Sequence, residues 1–222
     1  MAVLITFDPW AMVVGSDAPS IAAYDDGTII FRRRVSRRRY EYAVVHDRRI
    51  LDRLVGTPEQ RTAFATAENR YTLSHATDLP TTRLCVWLDS GRKCTSIYGW
   101  SEAEAREANS VPPQVAGILR RLARFSDRRA TAWWPEQMEV MLWPYDHSPE
   151  KPARWPDEWP DLDDPSTVAR GGGLFSVFVL SGQRERLLSF VRGLRERQAV
   201  EIRGRKWSVG LRTPFPHEAE WM

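Results

Sequence analysis

Three tight-turn signals, each set between residues that favour strands, limit what this chain can fold into more than any other feature. Ile21–Tyr24 and Thr28–Phe31 flank Asp25-Asp26-Gly27, and Asp-Gly supplies the positive φ values that a short hairpin turn requires. Arg83–Leu88 and Cys94–Tyr98 flank Asp89-Ser90-Gly91-Arg92, and Val200–Arg203 and Lys206–Leu211 flank Gly204-Arg205. Hairpins impose antiparallel pairing. Single strands are predicted at Tyr40–Val45, Tyr71–His75, Gln137–Leu142 and Leu174–Leu180, with another in the apolar stretch Met1–Val14. In Gln137–Leu142 the alternation sets Met138, Val140 and Leu142 on one face and Gln137, Glu139 and Met141 on the other.

Helical stripes separate these strands. Val115, Ile118, Leu119, Leu122 and Phe125 recur at helical spacing behind Pro112-Pro113, opposed by Arg120, Arg121 and Arg124. Leu187, Phe190, Val191 and Leu194 form a second stripe. Ile50, Leu51 and Leu54 form a shorter one, with Asp47 placed to cap it. Thr57-Pro58, and Ser101 with Glu104, read as two further helix starts. The pattern predicts an α+β fold: a mostly antiparallel sheet built from several hairpins, with three to five helices packed on one face. The strand–helix–hairpin order occurs twice, which admits a worn internal duplication. Residues 1–222 are expected to form a single domain, interrupted by an irregular Pro/Trp-rich segment at about 143–173 that carries Trp155-Pro156 and Trp159-Pro160.

Composition narrows the function classes. The formal net charge is +3, far from the load of a dedicated nucleic-acid binder. No apolar run approaches the roughly 20 residues of a membrane span, and Met1–Val14 has no basic lead or cleavage site, so a cytoplasmic location is expected. Two cysteines, Cys85 and Cys94, fall on opposite arms of one hairpin. A bridge is geometrically open, but free thiols fit a reducing cytosol better. Ten tryptophans point to large aromatic anchors, in the core or at an interface.

Signals for chemistry are few. Gly99-Trp100-Ser101-Glu102-Ala103 comes near a nucleophile elbow, but Ser101 with Glu104 also makes a capping box. Gly171-Gly172-Gly173 leads into a strand, whereas phosphate loops open a helix. His46, His75, His147 and His217 show no zinc-like spacing, and Asp161, Asp163 and Asp164 lack the calcium-loop pattern. Neither a metal nor a cofactor is expected. Arg32-Arg33-Arg34 and Arg37-Arg38-Arg39 bracket Val35-Ser36, and a second basic cluster falls at Arg120, Arg121, Arg124, Arg128 and Arg129. Such clusters suit solvated turns, acidic protein partners or phosphates.

Several landmarks occur together: Tyr24-Asp25-Asp26-Gly27-Thr28, Thr77-Asp78-Leu79-Pro80-Thr81-Thr82, Ser96-Ile97-Tyr98-Gly99, Trp134-Pro135, the two later Trp-Pro pairs, and Trp207 followed by Arg212-Thr213-Pro214-Phe215-Pro216-His217-Glu218. In this order they resemble a loosely defined group of bacterial proteins, many of them predicted lipoproteins of actinobacteria. The resemblance spans most of the chain; Met1–Val14 is not expected to act as that group's signal peptide with its lipobox cysteine, which argues against an envelope location. The group has no assigned activity, so the resemblance implies a non-catalytic single domain and carries over no functional residue.

The sequence therefore favours a non-catalytic interaction protein, most concretely an intracellular immunity-type protein that neutralises a cognate toxin. Its expected partner is another protein with an acidic surface; nucleic acid and membrane are not expected. The candidate binding residues are Trp143, Trp155, Trp159, Arg32, Arg33, Arg37 and Arg38. The alternatives are an envelope-associated module that holds a small ligand near the Trp-Pro loop, and a hydrolase or nuclease with a dispersed site.

Overall fold

A computed structural model describes residues 1–11, 16–37, 39–101 and 111–221. The chain is α+β, and among the described residues it forms two largely antiparallel sheets rather than the one expected. It divides into two compact units. The first holds Met1–Ala11, Asp17–Trp133 and His217–Met222; the second holds Met12–Ser16 and Trp134–Pro216.

The first unit is built on an eight-stranded sheet. Its strands are β1 (Ala2–Phe7), β2 (Ile21–Ala23), β3 (Thr28–Ser36), β4 (Arg39–His46), β5 (Arg70–Thr72), β6 (Thr81–Leu88), β7 (Gly91–Tyr98) and β8 (Thr131–Ala132), in the order β5-β7-β6-β1-β2-β3-β4-β8. Among the described residues of this sheet only β5 runs parallel to its neighbour. The Asp25-Asp26-Gly27 turn closes as read: Gly27 has φ +90°, and a Cβ there would stand 2.7 Å from the Arg48 backbone nitrogen, so glycine is required twice over. Among the described residues three helices pack on this sheet: α1 (Arg48–Val55), α2 (Pro58–Ala65) and α3 (Pro113–Ala123). Asp47 caps α1 by accepting from the Arg49 N–H, and Thr57 with Gln60 forms a capping box at α2. Ile50, Leu54, Phe64, Val115, Ile118, Leu119 and Leu122 pack on Leu4, Ile29, Phe31, Leu84 and Val86. The helix predicted from Ser101 and Glu104 lies largely outside the described residues.

The second unit has a six-stranded sheet of β9 (Gln137–Pro144), β10 (Ala153–Arg154), β11 (Val168–Gly171), β12 (Leu174–Leu180), β13 (Val200–Ile202) and β14 (Arg205–Arg212), ordered β10-β13-β14-β9-β12-β11. One helix, α4 (Arg184–Gly193), packs Leu187 and Phe190 against it.

The duplication suggested by element order finds no support in the pairing. In the first unit the earlier strand of the hairpin, β6, lies beside the central β1. In the second unit it is the later strand, β14, that lies beside the central β9. The two hairpins therefore enter their sheets from opposite ends of the sequence.

Candidate functional site

The hairpin β3–β4 outruns its sheet. β2 pairs with β3 only as far as Phe31, after which the Arg32 N–H donates to the Ser20 carbonyl. β8 covers Ala43 and Val44, and the Trp133 N–H reaches the Tyr42 carbonyl. Beyond these points, among the described residues, the two strands pair only with each other, through Arg33↔Glu41 and Arg34↔Tyr40 to a bulge before Ser36↔Arg39. The result is a two-stranded ribbon whose tip carries the first arginine cluster.

Strand alternation gives the ribbon two different faces. Arg33 continues the face of Ile29 and Phe31. Its Nε and Nη2 donate to Glu41 Oε1 at 3.2 and 2.5 Å, and its Nη1 donates to the Ala130 carbonyl at 2.9 Å. The other face carries Arg32 and Arg34 on β3 with Tyr40 and Tyr42 on β4. The Arg32 guanidinium lies 4.8 Å from the Tyr40 ring centre. Arg34 Nε and Nη2 donate to the carbonyls of Ser36 and Arg37 at 3.2 and 3.0 Å, tying down the tip. Arg32, Arg34, Arg37 and Arg39 are exposed, as are Tyr40 at 51 % and Val35 at 41 %. Arg38 lies outside the described residues. Trp10, 73 % exposed, follows β1 where that strand leaves the same end of the sheet.

The second arginine cluster is organised differently. Arg121 donates to the Leu54 carbonyl and to Gln60, and burial lowers its pKa. Arg129 bridges Asp127 and Asp47 at 2.7 and 3.1 Å. Its hydrogen bonds hold the Asp127 carboxyl down at about 2, and Asp47 is held low by the same guanidinium. These arginines bind their own chain.

The three candidate tryptophans do not form a surface. Trp155 and Trp159, expected as binding anchors in an irregular loop, are 4 and 3 % exposed and belong to the core of the second unit. With Phe190 they make a triad of edge-to-face contacts at 5.0 to 5.8 Å, and Trp155 Nε1 donates to the Pro160 carbonyl. Trp143, half-buried on β9, lies against Gly210, where a Cβ would approach its ring to 3.2 Å. Removing large apolar rings from water outweighs the irregular, proline-rich backbone that suggested a free loop.

Concavities do not favour the Trp-Pro loop either. The depression beside it, about 430 Å³, is walled by Arg154, Asp157, Asp161, Glu201 and Arg203 as well as by tryptophan. A cleft of about 560 Å³ in the first unit is lined by Val55, Trp87 and Leu88 together with Asp52, Asp89 and Arg61. Gly171, Gly172 and Gly173 all take positive φ and turn β11 into β12, so they serve a hairpin.

One polar cluster was not foreseen. Glu139, assigned by alternation to the face away from Met138, Val140 and Leu142, is 1 % exposed. It accepts from Arg212 Nη1 at 2.7 Å, Arg170 Nη2 at 2.6 Å and Ser176 Oγ at 2.5 Å. Burial would raise its pKa, but the Ser176 and Arg212 hydrogen bonds and the two guanidinium charges pull it below the ordinary value. A carboxylate so fully engaged is a poor general base, and neither cleft above is lined by it. Arg212 stands directly across from Glu139 on β14, a pairing of distant strands that alternation within β9 does not reveal.

The cysteines also differ from expectation. Cys85 and Cys94, directly opposed across β6 and β7 with Cα atoms 4.1 Å apart, form a disulfide instead of free thiols. Removing it with a Cys85→Ala/Cys94→Ala pair is expected to cost about 2–3 kcal/mol, because the closed loop is short. Urea midpoints with and without reductant measure this; reductant should shift the native protein and leave the variant unmoved.

No protein-family model matches the chain, nor does any curated protein or solved structure. The site must be judged on its own chemistry.

Proposed function

We propose that this chain is a non-catalytic binding protein that docks another protein through the β3–β4 ribbon. One observation carries the reading: a hairpin arm that extends past both neighbouring strands and leaves arginines, Tyr40 and Val35 uncovered. Arginine and large aromatic residues dominate the energetic centres of protein interfaces, and this ribbon presents both. In its most concrete form the protein is of immunity type and neutralises a cognate toxin inside the cell.

Tagged protein recovered from its native host tests this. A single stoichiometric partner is expected, one whose toxicity on expression alone disappears when this chain is expressed with it. Recovery of the protein alone under several extraction conditions would sink the reading.

A second reading has one observation in its favour. A bonded Cys85–Cys94 pair suits an oxidising compartment, which supports an envelope-associated module for small ligands. Thiol labelling in intact cells separates the two readings: labelled cysteines place the chain in a reducing compartment, and protected ones in an oxidising compartment.

A further inference from the structure

We infer that the ribbon face carrying Arg32, Arg34 and Tyr40, with Arg37 and Arg39 at its tip, recognises the carboxylates of an acidic protein surface. The inference rests on the proposal that the ribbon is the working surface, and it names the chemistry of the partner. From Arg32 to Glu41 the sequence holds six arginines and one acid. That acid is already bound by Arg33, on the opposite face. The two faces therefore differ in character: on one the acid is paired with Arg33, while the other carries Arg32 and Arg34 and no acid from residues 32–41.

This outward face is also ordered in advance. Stacking on Tyr40 limits the rotamers of Arg32, and the Arg34 fork fixes the tip by donating to two carbonyls. Guanidinium groups held in place lose less freedom when a carboxylate arrives, so more of each contact appears as affinity. Carboxylate is favoured over phosphate because the basic field is local. Outside the ribbon the basic charge is partly offset, since Arg129 pairs with Asp127 and Asp47, and the formal net charge of the chain is only +3. Arg34 acts as a positioning residue for the tip, and Arg32 and Arg37 make the contacts.

The test uses a fluorescein-labelled oligoglutamate peptide and a single-stranded oligonucleotide of equal charge, with binding read by anisotropy on the full chain. The wild-type protein is expected to bind the peptide more tightly than the oligonucleotide. Arg32→Glu/Arg37→Glu should weaken peptide binding at least about tenfold. Arg120→Glu/Arg128→Glu, the same charge change elsewhere, should stay within about twofold. Tyr40→Ala should cost roughly two- to fivefold and Tyr40→Phe almost nothing, as expected for loss of a cation–π platform. Arg32→Lys guards against misfolding: it keeps the charge and should bind between wild type and Arg32→Glu, at an unchanged melting temperature. Equal losses from both double reversals would mean that only net charge is sensed. Tighter oligonucleotide binding would make the partner a nucleic acid. Either result overturns the inference. A captured toxin whose binding ignores Arg32→Glu/Arg37→Glu also overturns it, leaving only that the chain binds another protein. Ribbon-dependent peptide binding with no captured partner does the reverse.

Discussion

Replacing Glu139 with alanine is expected to destabilise the protein by about 3–5 kcal/mol, because it withdraws the carboxylate from a guanidinium that is itself buried. The side chains of Glu139 and Arg212 are 1 and 3 % exposed, so water cannot substitute for the lost partner. Arg170, 43 % exposed, can swing toward solvent and should matter less. Replacing both buried members, as Glu139→Met/Arg212→Met, should recover most of the loss, since neither charge then needs to leave water. Urea denaturation of the three variants decides this; a Glu139→Ala cost below about 1 kcal/mol would show that the cluster is not sealed. The same group sets an acid limit. Its folded-state pKa lies below the ordinary glutamate value of 4.5, so its contribution is complete above that pH. The contribution fades as pH falls through the lowered folded-state value, where both states become protonated. A stability profile against pH should therefore drop on the acid side in the native protein, and more shallowly in Glu139→Met/Arg212→Met.

Trp159→Ala should cost about 3–5 kcal/mol of stability through the cavity left between Trp155 and Phe190. Trp159→Phe should cost less than about 1.5 kcal/mol. Phenylalanine keeps a ring in the triad and removes an indole N–H that finds no hydrogen-bond acceptor among the described residues. The pair of variants separates core from interface. A core residue loses stability and keeps partner binding at temperatures where the variant is folded; an exposed anchor would do the opposite. If Trp159→Ala melts like the native protein but fails to bind, the placement of this residue in the core is wrong.

Much of the secondary structure was legible because it depends on short-range physics. Gly27 and Gly91 mark turns that need positive φ, Asp47 and Thr57 cap the helices they precede, and α3 shows its apolar stripe openly. What alternation cannot supply is how many sheets the strands make. That depends on which hairpin strand meets β1 and which meets β9, a choice between distant residues. The same limit hid the ion cluster. Glu139 alternates correctly with its neighbours, but alternation does not say whether the second face of a sheet meets water. At the ribbon, the arginine run was plain and its use was not. Arg33 was a candidate by sequence and is occupied by Glu41, whereas Tyr40 was overlooked and forms the platform. Trp155 and Trp159 were misplaced because proline-rich backbone reads as loop, although indole rings of that size seek a core.

The first unit leaves its own sequence at Trp133 and resumes it at His217, and this sets an order of events on the ribosome. Synthesis is vectorial, and domains tend to complete as their residues emerge. The second unit's long contiguous stretch, Trp134–Pro216, is made before residues 217–222. The first unit must wait for them, because Trp221 is 2 % exposed and its ring sits 6.4 Å from that of Tyr24, beside the first hairpin turn. The unit whose sequence starts earlier is thus the one that closes later.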